Sequence, residues 1–551
     1  MKTMNSIIMK LSALALTLML AFNSAHSQVA TDSIVADFNE FVRLLEETHP
    51  DPYTNYGGRP FFRRAAMETR FSLILDSVTS TDELSRRIRQ FLIPLHDGHT
   101  GIEGSFGFNS DEHDNICAPV SFSPISDGVI IVSISSEYKD LLGSRLIAIE
   151  GIPFKKVCED LAQNFTAENE IGRITHFCFV SSLGFGALKK VLPDMRQDSI
   201  TYQILTPDGK PMDLTLPIIQ AFGGGDKHLA SVEEAQPLPP QKNLSYMFVD
   251  DKKNTMYFRS SQIMARDALE YIRSNGMGLD QYLSRVYYSF NDDEMPQDVD
   301  EALARIPSFS DEFDKMLQQM KKNKSKNLII DLRGNGGGYT PIVIPTLYQM
   351  WGDKFIMDHT NFDIKFYQLL SPLYMKKMNV SMEQADAMLS SQAMLMGDYM
   401  LNGDAPAPEE ITDEYRNMFI GQMMSSVKDK LMAQQGKPVY TPEHVYVLVN
   451  YNTYSAAFHY MFYLWKMGAT VVGLPSKQAP NTYMEVTPFE LPRTGLKGSI
   501  SNSLQMFLPV DDPRANQFTP DLMPTYEDYK RYNFNRATEL LYLLDYIKGK
   551  K

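Results

Sequence analysis

Apolar residues Phe38, Phe41, Val42 and Leu45 recur at helical spacing and predict an amphipathic helix that stops at His49-Pro50-Asp51-Pro52. A second helix is expected over Pro60–Leu75. A third is expected over Thr81–Leu92, with Ser80 or Thr81 as cap and Glu83 in its first turn. These helices define an N-terminal region, residues 28–110, that also carries Leu95-His96-Asp97-Gly98-His99-Thr100-Gly101. Beyond Cys117 the pattern changes. Val129–Val132 and Arg145–Ile149 are short β-rich runs bounded by Gly and Asp, and Ile200–Leu216 reads as a hairpin around Pro207-Asp208-Gly209. Residues 111–220 are therefore expected to be mainly strand, and the Gly- and Pro-containing stretch 221–243 to be a linker. From 244 to 551, strands at Thr255–Arg259, Asn327–Leu332, His444–Val449 and Thr470–Gly473 alternate with helical patterns, which predicts an α/β layer. A polar, Met-rich, helix-patterned insertion interrupts it at 352–437. Long insertions between functional segments often cover a cleft, and that is the expectation here.

The N-terminus bears on the compartment. Lys2 and Lys10 precede an apolar run, Leu11–Phe22, and Ala25 and Ser27 fit the small-x-small cleavage rule. Residues 1–27 read as a secretory signal peptide cut before Gln28, so the chain is expected to be exported, periplasmic or extracellular. The run is short for a bilayer span, which needs about 20 apolar residues. Removing it leaves 51 basic against 67 acidic residues, a net charge near −16. That balance argues against nucleic acid and against an anionic membrane surface as partners. Cys117, Cys158 and Cys178 form neither a disulfide framework nor a zinc-ligand pattern and read as buried small side chains.

Three segments carry candidate chemistry. In Asn327–Tyr339 an apolar run ends in Asp331-Leu332-Arg333 and then four glycines within five residues, Gly334-Asn335-Gly336-Gly337-Gly338. Glycines let main-chain N–H groups turn toward an anion or a developing oxyanion. The dinucleotide and P-loop spacings are absent, and a plain glycine-rich turn is the alternative. In the second segment, a buried strand, Val445–Val449, leads through Asn450-Tyr451-Asn452-Thr453-Tyr454 to Ser455 and a helix beginning Ala456-Ala457. A serine there sits where free N–H groups favour an anion, although a helix cap is the commoner role. The third is His96-Asp97-Gly98-His99-Thr100, which offers a general base. A metal held by His96 and His99 would need a third ligand that the sequence does not suggest.

Together, Asp-Leu-Arg-x-Asn-x-Gly-Gly after a strand, Ser-Ala-Ala after Leu-Val-Asn, and Asp-x-His-Thr upstream resemble the C-terminal processing (tail-specific) serine peptidases. Tricorn-core peptidases and interphotoreceptor retinoid-binding proteins belong to the same superfamily. The resemblance implies an α/β catalytic domain of ClpP/crotonase-like β-α layers over 244–551, after a helical N-terminal domain and a PDZ-like domain over 111–220. It implies Ser455 as nucleophile, with an oxyanion hole from Gly337 or Gly338 and from Ala456. Val471, Val472 and Gly473 match the strand after the nucleophile helix. The lysine-bearing loop of bacterial members is missing: the chain reads Leu474-Pro475-Ser476-Lys477-Gln478-Ala479-Pro480, and Phe458 stands where those members carry Glu. The tricorn-like alternative makes His99 the base, with Lys477 as the other candidate and Asp97, Glu490, Asp511 or Asp512 as its orienting acid. Leu142–Val157 resembles the core of a PDZ domain, and a β-rich spacer is the alternative.

The expected function is exported serine endoproteolysis through an acyl-enzyme, on a peptide or protein substrate and without metal or organic cofactor. A catalytically degenerate member that binds peptide or another ligand is the rival. Neither the substrate nor the oligomeric state is readable.

Overall fold

The structure is a computed structural model that describes residues 29–102, 116–162, 166–183, 185–192, 194–220, 229–232, 242–274, 276, 278–360, 362–402, 408–424 and 427–549. The signal-peptide segment 1–27 lies outside the described residues, as does most of the linker 221–243. Among the described residues, no helix is long and apolar enough to cross a membrane.

The chain forms two compact units. The first comprises Met1–Asn109, Leu369–Asp398 and Glu485–Asn502. Its helices span Thr31–Thr48, Arg59–Leu75 and Thr81–Leu92. The first helix buries Phe38, Phe41, Val42 and Leu45, the four positions whose spacing foretold it. Ser80 caps the third by accepting the Glu83 N–H. Their apolar faces close on Phe489, Leu491 and Ile500. Gly101–Ile102 pairs antiparallel with Ser499 and Gly498 of the strand Lys497–Met506.

The second unit comprises Ser110–Gln368, Tyr399–Met484 and Ser503–Lys551. Among the described residues, two large sheets and the short pair Ile116–Cys117/Ile219–Gln220 lie wholly within it. A seven-stranded antiparallel sheet contains Val120–Ile125, Gly128–Ser135, Arg145–Ile149 and the hairpin Ser199–Leu205/Pro211–Pro217, whose turn uses Gly209 at φ +83°. This region is less purely β than its pattern suggested. The helices Phe154–Leu161 and Glu170–Leu183 lie within it, and Phe177 of the latter packs on Phe122. The three cysteines are buried and form no disulfide with one another.

The other sheet has five strands in chain order: β1 (Ser245–Phe248), β2 (Thr255–Arg259), β3 (Asn327–Asp331), β4 (His444–Val449) and β5 (Thr470–Gly473). β1 runs antiparallel to β2, and all other pairs are parallel. Alternate residues serve opposite faces. Leu328, Ile330, Val445 and Val447 enter a large helical core with α1 (Phe309–Asn323), α2 (Ile344–Trp351) and α3 (Ala456–Lys466), whereas Ile329, Tyr446, Leu448 and Val472 pack on Leu540, Leu543 and Ile547 of the last helix. Burial on both faces explains why these strands read as continuous apolar runs. The insertion 352–437 is mainly helical and adds two strands, Lys365–Leu369 and Tyr399–Asn402. Its residues 369–398 belong to the first unit.

Candidate active site

The glycine-rich turn and the serine turn leave adjacent parallel strands, β3 and β4, at their carboxyl ends, where open α/β sheets commonly bind ligands. The Asp-Leu-Arg sequence serves as a brace there. Arg333 Nη2 meets Asp331 Oδ2 at 2.7 Å, and Arg333 Nη1 meets Glu539 Oε2 at 2.7 Å. The Tyr257 hydroxyl donates to Asp331 Oδ2 at 2.6 Å. Burial pushes the Asp331 carboxyl up, but the charge and hydrogen bonds of Arg333, helped by Tyr257 and Arg259, outweigh it and hold the carboxyl below its ordinary 3.8. A carboxyl depressed in the folded state stabilises at neutral pH, and that stabilisation is lost as the pH falls below about 3.8 toward the folded value. Removing one partner of a buried pair leaves a bare charge, so Arg333→Met should cost about 3–5 kcal/mol in urea unfolding at pH 7.

Asn335 then joins the two turns. It is fully buried. Its Nδ2 donates to the Ser260 carbonyl at 2.9 Å, its Oδ1 accepts the Gly337 N–H at 2.9 Å, and its carbonyl accepts the Tyr454 N–H at 3.0 Å. From the other side, the Thr453 hydroxyl donates to the Leu332 carbonyl at 2.9 Å, and the Gly334 N–H donates to Asn450 Oδ1 at 2.9 Å. The approach is close enough to exclude a side chain. A Cβ at Gly337 would lie 2.6 Å from the Ser455 Cβ and 2.9 Å from the Ala456 nitrogen. Gly337 and Gly338 adopt φ +104° and +148°, which L side chains resist.

Ser455 stands at the N-terminus of α3 with φ +52° and ψ −126°. That backbone is strained for a serine, and such strain recurs at functional positions. Its side chain makes no capping bond, so the helix-cap role weighed from the sequence is not the one it plays here. The Ser455 N–H is accepted by Oε1 of Gln478. Among the described residues, the N–H groups of Ala456 and Gly338 make no hydrogen bond, whereas that of Gly337 is committed to Asn335. Of the two candidate glycines, Gly338 is therefore the one with a main-chain donor to offer.

Lys477 lies in the same unit. Its ammonium donates to Asn452 Oδ1 at 3.1 Å and lies over the Tyr454 ring. Burial lowers it below its ordinary value, against the opposing pull of the Glu168 carboxylate. Glu168 takes the Tyr454 hydroxyl and, at 2.9 Å, the Ala479 N–H. His99 belongs to the first unit, where its N–H donates to Asp97 Oδ1 at 2.8 Å and its carbonyl accepts the Ser499 hydroxyl. Asp97 is fully buried and lies 3.3 Å from His49 Nε2. Glu490 pairs with Lys497 in the first unit, and Asp512 pairs with Arg514 in the second, where Asp511 is exposed. Among the described residues, no group of three or more His, Cys, Asp or Glu side chains is placed to hold a metal.

The parts played by four further residues were not read from the sequence. Asn335 stood in the glycine motif without a role of its own, and Glu168 and Gln478 are ordinary polar residues whose partners are distant in the chain. His459, one turn beyond Ser455, is buried with Nδ1 2.9 Å from the Thr340 hydroxyl. Its spacing of four from Ser455 was the one available signal.

A strained serine at a strand-to-helix turn, with a glycine turn pressed against it and the uncommitted Ala456 N–H beside it, is the equipment of a serine-type peptidase. Residues 300–506, which contain both turns, match the model of Peptidase family S41. The fold resembles the crystal structure of mature CPAF, with a TM-score of 0.50 at 15% identity over 93% of this chain and 97% of that one. A structure of mature CPAF complexed with lactacystin gives a TM-score of 0.49 at 15% identity, covering 93% and 98%. The photosystem II D1 C-terminal processing protease gives 0.37 at 11%, covering 90% and 94%. At these identities the likeness speaks to fold alone. Comparison with curated proteins gives no match.

Proposed function

We propose that the chain is an exported serine endopeptidase that cleaves peptide bonds through an acyl-enzyme on Ser455. The observation that carries this is the contact of the glycine turn with Ser455, beside an uncommitted Ala456 N–H. In the proposed reaction the Ser455 oxygen attacks the scissile carbonyl carbon while a base takes its proton. The N–H groups of Ala456 and Gly338 receive the oxyanion. Collapse expels the amine, which leaves with that proton, and water then hydrolyses the ester by the same steps. We assign the base to His99, with Lys477 as the alternative. Residues 28–110 are read as a helical domain, 111–220 as a PDZ-like domain and 244–551 as the catalytic domain. Export rests on the N-terminal sequence pattern.

Labelled casein provides the test. Removing a general base typically costs about 10²–10⁴-fold. His99→Gln should lower kcat by that factor, and Lys477→Met by less than about tenfold. The reverse order moves the base to Lys477. A wild type that binds casein without cutting it favours a peptide-binding module.

A further inference from the structure

Gln478 is fully buried, and its Oε1 accepts the N–H of Ser455. An N–H donor needs an oxygen opposite it, so this bond fixes which end of the amide is which. Nε2 is then the amide's other polar atom. It is buried and has no hydrogen-bond partner among the described residues. Buried amide nitrogens are nearly always paired, because an unmet donor costs more than a typical bond returns.

The side chain is held in this position. The Gln478 N–H donates to the Ser476 hydroxyl at 3.0 Å, that hydroxyl donates to the Thr453 carbonyl at 2.5 Å, and the next residue's N–H is taken by Glu168. A primary amide is thus fixed against the main chain of Ser455 with both of its N–H donors unmet among the described residues. An extended peptide lying across Ser455 brings main-chain carbonyl oxygens on either side of the bond to be cut. Resting on the reading of Ser455 as nucleophile, we infer that Gln478 acts at both ends. Oε1 positions Ser455 by holding its main chain in the left-handed conformation, and Nε2 donates to a substrate main-chain carbonyl next to the scissile one.

Two variants separate these ends. Gln478→Glu keeps an acceptor for Ser455 and loses the donors when ionised. Gln478→Met is of similar length and offers neither. For each, kcat/KM on labelled casein is compared with kcat/KM on p-nitrophenyl acetate, which has no neighbouring amide. In both variants casein hydrolysis should fall about tenfold more than ester hydrolysis, the worth of one neutral hydrogen bond. Fluorophosphonate labelling of Ser455 should slow in Gln478→Met, which has lost the positioning end. Equal losses on casein and ester would overturn the substrate contact, and unchanged labelling in Gln478→Met would overturn the positioning role. A wild type that never labels at Ser455 would sink the nucleophile reading and this inference with it. A labelled wild type with equal losses sinks only the inference.

Discussion

Gly337→Ala is expected to cut peptide hydrolysis by about 10⁴-fold or more while leaving a folded protein. The added Cβ would fall 2.6 Å from the Ser455 Cβ, 2.8 Å from the Tyr454 carbonyl oxygen and 2.9 Å from the Ala456 nitrogen, so the nucleophile and a proposed oxyanion donor must both move. A displacement on the ångström scale costs about 10²-fold, and loss of one oxyanion donor about 10²–10³-fold. The substitution also places a side chain at φ +104°, a strain of about 1–3 kcal/mol. Gly209→Ala supplies the control. Gly209 has φ +83° in the β-rich sheet and nothing within 4 Å of an added Cβ. It should show a similar loss in thermal unfolding and no loss of kcat. Equal kinetic effects of the two substitutions would mean that Gly337 acts through stability alone.

Ser455→Ala should lower kcat by roughly 10⁶-fold, the scale seen when a serine peptidase loses its nucleophile. Stability should change by no more than about 0.5 kcal/mol, because the hydroxyl makes no capping bond and alanine keeps the Cβ that the backbone already carries. A serine acting as a helix cap would behave in the opposite way, costing about 1 kcal/mol in unfolding and nothing in rate. Measuring kcat together with the urea midpoint therefore separates the two roles in one variant.

The parts of this arrangement that were legible in the sequence are those set by local pattern. β2, β4 and β5 have the bounds expected from the sequence, because a strand buried on both faces needs a largely apolar run and the turns beyond it do not. The glycine turn was visible because four glycines in five residues have few other uses. Ser455 was visible as a strand-to-helix position, but its positive-φ backbone was not, since its turn is held by Asn335 and Gln478 from separate segments. The helices Phe154–Leu161 and Glu170–Leu183 were missed within a region read for its β-rich runs. The strands Asn481–Glu490 and Lys497–Met506 were missed because buried Thr, Ser, Asn and Gln interrupt their apolar alternation. The Asp-Leu-Arg motif was read as part of a catalytic signature. Its observed work is mechanical: a buried ion-pair network that fixes the base of the glycine turn.

The most direct measurement is to treat the folded, purified protein with a fluorophosphonate, digest it and map the adduct by mass spectrometry. One modified site is expected, Ser455, with no adduct in Ser455→Ala and a strongly reduced one in Gly337→Ala. Efficient cleavage of casein by a protein whose Ser455 stays unmodified, or an adduct carried by a different serine, would contradict it.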